Sequence, residues 1–98
     1  MLINIDFSIF YSPTKAYGSV TGKIDVPAST KVGDKILVLR GGSATTFDGW
    51  LRVTSISPMT VGQLVMGLDD LVVSSMNDAN KLSRELTSAG LFVDPYQT

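Results

Sequence analysis

Cysteine and histidine are both absent from this chain of 98 residues. Their absence excludes disulfides, thiolate nucleophiles, the cysteine and histidine ligand sets of structural zinc, and every imidazole acid–base mechanism, triads included. Aromatic residues are scarce at 8%, with one tryptophan, and charged residues make up 17%. Against these scarcities stand a 44% hydrophobic content and a mean hydropathy of +0.23, too apolar for a disordered chain. A chain of this length fits one domain, residues 1–98, with a single modest core. The most apolar late window, Leu64 to Val73, is broken by Asp69 and Asp70 and is shorter than the ~20 residues that span a bilayer. Residues 1–10 lack a basic n-region and contain Asn4, Asp6 and Ser8, which does not suit a secretory signal. These features imply no membrane partner and a cytoplasmic location.

Charge is nearly balanced, −1 overall with a pI near 5.0. The two signs are unevenly spread. Residues 1–57 carry Lys15, Lys23, Lys31, Lys35, Arg40 and Arg52 against Asp6, Asp25, Asp34 and Asp48, a net +2. Residues 58–98 carry two basic and five acidic groups, a net −3. No global positive field favours nucleic acid.

The amino-terminal segment alternates strictly, with Ile3, Ile5, Phe7 and Ile9 on one face and Asn4, Asp6 and Ser8 on the other. That period of two predicts a half-buried strand, ended by Pro13. A second alternation sets Val20, Gly22, Ile24 and Val26 against Ser19, Thr21, Lys23 and Asp25, and Pro27 closes it. Residues 35–40 form an apolar run suited to a central strand buried on both faces. A fourth strand, residues 47–56, opposes Phe47, Gly49, Leu51 and Val53 to Asp48, Trp50, Arg52, Thr54 and Ile56, and pairs with the third as a hairpin.

After Pro58 the spacing changes. Thr60 and Gln63 fit a capping box, and Val61, Leu64, Val65, Leu68, Leu71 and Val72 recur at intervals of three and four, which predicts a helix. Gly62, Gly67 and the β-branched Val72 and Val73 oppose it, leaving a strand at residues 71–74 as the rival reading. A second helix has Asn77 or Asp78 as its cap and Ala79, Leu82, Leu86 and Ala89 as its apolar stripe. Lys81 and Glu85 are spaced to pair, and Gly90 sits at the left-handed stop. Residues 91–98 form an extended tail. The predicted architecture is α+β: a small, strongly bent antiparallel sheet or partly open barrel of four to five strands from residues 1–57, followed by two C-terminal helices within residues 60–90. The stretches Val20–Ile24 and Lys31–Leu39 resemble the barrel module that follows the GTPase domain in translation elongation factors. The helices predicted after Pro58 have no place in that module, and the chain is not assigned to the family.

Chemistry has few candidate sites. Adjacent Asp69 and Asp70 point to different faces of any regular element and suit a solvated break better than a metal or catalytic pair. Residues 41–46, Gly-Gly-Ser-Ala-Thr-Thr, could cradle a phosphate, but no Gly-Lys-Ser/Thr leads into a helix, and a flexible loop fits better. No catalytic residue, metal or cofactor is expected. Strand parity points Trp50 outward with Asp48 and Arg52, and this exposed aromatic beside cations is the composition of interface hot spots and of base-stacking platforms. The candidate interaction face is Trp50, Arg52, Asp48, Arg40, Lys35 and Tyr17. An apolar surplus at Met59, Met66, Met76, Leu68 and Val72 suggests a self-association surface, with core packing as the alternative. The resulting expectation is a non-enzymatic interaction module acting through protein–protein contacts, self-associating as a homodimer or binding another protein. An accessory protein of a phage or other mobile element suits so small a chain. The alternatives are a single-stranded nucleic-acid binder, disfavoured by the acidic pI, and a small-molecule pocket between sheet and helices.

Overall fold

A computed structural model describes residues 1–12, 15–40, 47–60 and 62–96, with the side chains of Ser12, Met59 and Thr60 outside that description. Among the described residues, seven strands and one helix follow in chain order: β1 (Leu2–Ser12), β2 (Lys15–Asp25), β3 (Lys35–Leu37), β4 (Trp50–Thr60), β5 (Gln63–Leu68), β6 (Leu71–Val72), α1 (Met76–Ser88) and β7 (Phe92–Pro95). They form one mixed sheet of order β3-β4-β5-β1-β2-β7, with β6 also pairing with β1. The broad α+β character matches the sequence reading. The count does not: seven strands replace four to five, one helix replaces two, and the sheet is not purely antiparallel, because β1 runs parallel to both β5 and β6.

Alternation sets the core. Ile3, Ile5, Phe7 and Ile9 of β1 are buried, as are Val20 of β2, Leu51 and Val53 of β4, and Met66 and Leu68 of β5. α1 closes that face of the sheet with Ala79, Leu82 and Leu86. Burying each aliphatic side chain contributes roughly 1.5–3 kcal/mol, which is why one-sided apolar patterning fixes strand parity.

The predicted helix over residues 60–74 is replaced by the β4–β5 hairpin and β6. Thr60 pairs with Gln63 across a turn in which Gly62 has φ +79°. The supposed capping box is therefore a hairpin end, and Val61 lies outside the described residues. Met66, Leu68, Leu71 and Val73 are all buried, an alternation interrupted only by Asp69-Asp70, and Leu68 and Leu71 belong to the helical spacing as well. Tertiary pairing decides between the two readings. Asn4, Ile5 and Asp6 of β1 take Val65, Met66 and Gly67 as parallel partners. Gly67 fits closely there: a Cβ would meet the Ser55 hydroxyl of β4, which would have to rotate aside.

Two further corrections concern β3 and β4. The run from residue 35 is no central strand: β3 holds three residues at the sheet's edge, and Val38 and Leu39 are buried beyond it. In β4 a bulge lies between Val53, opposite Leu68, and Ser55, opposite Gly67. The extra residue reverses parity, so that Ile56 faces Met66 and packs on the core instead of pointing outward with Trp50.

α1 is capped by Ser75 rather than Asn77 or Asp78. The Ser75 hydroxyl accepts from the Asp78 amide at 3.1 Å. At the other end Gly90 has φ +97°, and the amides of Leu91 and Gly90 donate to the Leu86 and Thr87 carbonyls, each at 3.1 Å, a Schellman stop. The extended segment that follows returns as β7 along β2.

Candidate functional site

The β3–β4 pair is positioned by the backbone around Gly49. Asp48 Oδ1 accepts from the Trp50 amide at 3.0 Å, and the Gly49 carbonyl accepts from the Val38 and Leu39 amides at 2.7 and 3.2 Å. Gly49 has φ +96°, and a Cβ there would overlap the Leu39 carbonyl oxygen, so only glycine brings the two chain segments this close. The strand that starts at this turn pairs Trp50 with Leu37, Leu51 with Ile36 and Arg52 with Lys35. Leu51 and Ile36 are buried, which turns Trp50, Arg52, Lys35 and Leu37 to the outer face. Trp50 is 47% exposed.

Lys35 and Arg52 stand directly opposite each other, and neither forms a salt bridge among the described residues. The nearby carboxylates have other partners. Asp48 holds the Trp50 amide, Asp34 accepts from the Lys31 amide at 3.0 Å, and Asp25 accepts from the amino-terminal ammonium of Met1 at 2.6 Å. That hydrogen bond and the ammonium charge hold the exposed Asp25 carboxyl below its ordinary pKa.

Next to Trp50 opens a cleft of about 610 Å³, a volume in the range of roughly 300–1,000 Å³ common for ligand sites. One wall is the end of β2, Lys23 to Asp25, and the other is β3 with Val38. The connection between them, from Val26 to Asp34, also lines it, as do Trp50, Arg40 and Ala89, just past α1. Since β3 ends the strand order and β2 lies near its opposite end, the shared cleft shows that the sheet curls strongly.

Of the six residues in the expected interaction face, Trp50, Lys35 and Arg40 line this cleft, and Arg52 and Asp48 adjoin Trp50 along the chain. Tyr17 is elsewhere. It is the extra residue between Gly18, opposite Ile9, and Ala16, opposite Phe10, and this bulge lets its hydroxyl donate to Asn80 Oδ1 of α1 at 2.9 Å. The expected self-association set is split as well. Met66 and Leu68 are core residues at 1% and 5% exposure, Val72 and Met76 are exposed, and the Met59 side chain lies outside the described residues. Residues 41–46, considered as a phosphate loop, also lie outside them. Lys23 and the end of β2 were missed, because only curvature of the whole sheet brings them to Trp50; the short connection between Pro27 and Lys35 was the local sign.

Among the described residues no three acidic side chains converge as a metal site, and no helix is long and apolar enough to cross a membrane. No protein family, curated protein or solved structure matches the chain.

Proposed function

We propose that this chain is a non-enzymatic recognition module acting through protein–protein contacts, with the Trp50 end of β3 and β4 as its contact face. The observation that carries the reading is the Lys35–Arg52 pair beside a half-exposed indole. Like charges directly opposite on neighbouring strands are destabilising. An acidic partner covering the patch offsets that cost and gives the indole the burial it lacks in the free chain. Tryptophan and arginine are also the residue types whose truncation most often weakens an interface.

The test is selection from a random-peptide display library on the wild-type protein, with counter-selection on Trp50→Ala. Acidic binders are expected, and Trp50→Ala should weaken them by about thirtyfold or more, corresponding to the ~2 kcal/mol of a hot spot, while the unfolding midpoint changes little. A selection that yields no Trp50-dependent binder overturns the reading. The same flat ring between cations also favours one second reading, a single-stranded nucleic acid stacked on Trp50. Titration with oligothymidine separates the two: binding that collapses as salt rises would favour the nucleic acid.

A further inference from the structure

The cleft beside Trp50 is bounded by two strand edges on which every second residue turns its backbone groups away from the neighbouring strand, where they have no partner among the described residues. On β3 the Val53 amide donates to the Asp34 carbonyl at 2.8 Å and the Val38 amide to the Gly49 carbonyl at 2.7 Å. Bonding alternates along an antiparallel ladder, so Asp34, Ile36 and Val38 turn toward β4. The N–H and C=O groups of Lys35 and Leu37 therefore point the other way, to the side away from β4, where the cleft lies. On β2 the phase is set by Met1 and Val26, which exchange both backbone bonds at 2.8 Å. Alternation then turns the backbones of Lys23 and Asp25 away from β1. The Tyr96 amide, donating to the Tyr17 carbonyl at 2.9 Å, fixes the same phase on the β7 side. β7 covers β2 only from Gly18 to Thr21, because the chain arrives from the turn at Gly90, and this leaves Lys23 and Asp25 beyond the ladder.

Building on the reading above, we propose that this cleft takes an extended acidic peptide as an added β-strand, hydrogen-bonded to Lys35 and Leu37 of β3. Strand addition to an open edge draws affinity from main-chain bonds and selectivity from alternate side chains. The chemistry of both faces is defined. Side chains on the inner face of the added strand meet Ile24, Val26, Ile36 and Val38, which calls for aliphatic residues. Those on the outer face meet Lys35, Arg40 and Trp50, with Lys23 across the cleft, which calls for carboxylates. The carboxylates of Asp25 and Asp34 in the same cleft are bound by the Met1 ammonium and the Lys31 amide, whereas the cations form no salt bridge among the described residues. A lysine on an edge strand ordinarily discourages pairing with another chain. Facing an acidic strand, the same charge selects the partner.

The probe is a capped peptide of alternating glutamate and valine, with a lysine–valine peptide as control, followed by Trp50 fluorescence and amide hydrogen exchange. The glutamate peptide should bind, the lysine peptide should not, and exchange at Lys35 and Leu37 should slow about tenfold or more. Leu37→Pro removes an amide that faces the cleft and not β4, so it should abolish binding with little change in the unfolding midpoint. Should that variant unfold, N-methylation of alternate peptide residues tests the same bonds on the wild-type protein and should also abolish binding. Binding that survives both changes without exchange protection overturns strand addition yet leaves the Trp50 contact face standing. Absence of binding by the glutamate peptide overturns the inference alone, since the contact face is judged by the library selection. Protection of Lys35 and Leu37 that grows with protein concentration and no peptide, alongside a sedimenting dimer, assigns the edge to a second copy and overturns the peptide proposal.

Discussion

Trp50 and Leu51 are neighbours in sequence with opposite fates, the indole 47% exposed and the leucine 8%. Leu51→Ala should cost about 2–5 kcal/mol through lost burial and a residual cavity. Trp50→Ala should cost less than Leu51→Ala in urea denaturation, and iodide should quench the Trp50 emission in the folded protein. Glycines with positive φ offer a second contrast. Gly33 (φ +97°) has open space where a Cβ would go, whereas Gly49 (φ +96°) faces the Leu39 carbonyl. Gly33→Ala should therefore cost about 1 kcal/mol from backbone strain alone, and Gly49→Ala distinctly more, as read from the two unfolding midpoints. Asp25 adds a pH dependence. Its folded pKa is depressed, so the stability it contributes is present above the ordinary carboxylate range of about 4 and is lost as pH falls through and below it. Because the pair is exposed, the effect should appear in thermal midpoints at low salt, fade at high salt and vanish in Asp25→Asn.

At the scale of elements, α1 is defined by its ends. Ser75→Ala removes the acceptor for the Asp78 amide and should cost about 0.5–2 kcal/mol, measured by chemical denaturation. Gly90→Val places a β-branched residue at φ +97° and should cost more than about 1 kcal/mol. The β4–β5 hairpin has the opposite logic. Little in its local sequence favours strand over helix, and the register of β5 is held by β1 on one side and by its antiparallel ladder with β4 on the other.

For the molecule as a whole, one cluster of buried residues includes side chains from β1 to β6, α1 and the segment leading into β7. Unfolding should accordingly be a single transition, with Trp50 fluorescence and far-ultraviolet circular dichroism giving coincident curves; separated midpoints would show that the β3–β4 end melts by itself. The central pairing is distant in sequence, with Asn4 meeting Val65 in parallel. Closing so long a loop before any contact rewards it should put refolding on the order of milliseconds to seconds in stopped-flow measurements.

Local patterning was enough for some of this protein. The alternation of β1 and β2, the burial of Leu51 and Val53 against an exposed Trp50, and the stop at Gly90 are each set by side-chain chemistry within a few residues. Residues 60–74 could not be read that way, because Leu64, Leu68 and Leu71 satisfy a helical spacing while Leu64, Met66 and Leu68 alternate. Strand was chosen by pairing with β4 across the hairpin and with β1, more than fifty positions away, which together supply the backbone bonds a helix would have made internally. The same limit applies to the cleft. Its cations and its tryptophan were visible as residue types, but the bulges at Tyr17 and near Thr54 re-aim side chains, and the curl of the sheet brings Lys23 opposite Lys35. Period-two patterning specifies which face of a strand is buried. Which edges come to face one another is decided by the twist and closure of the whole sheet.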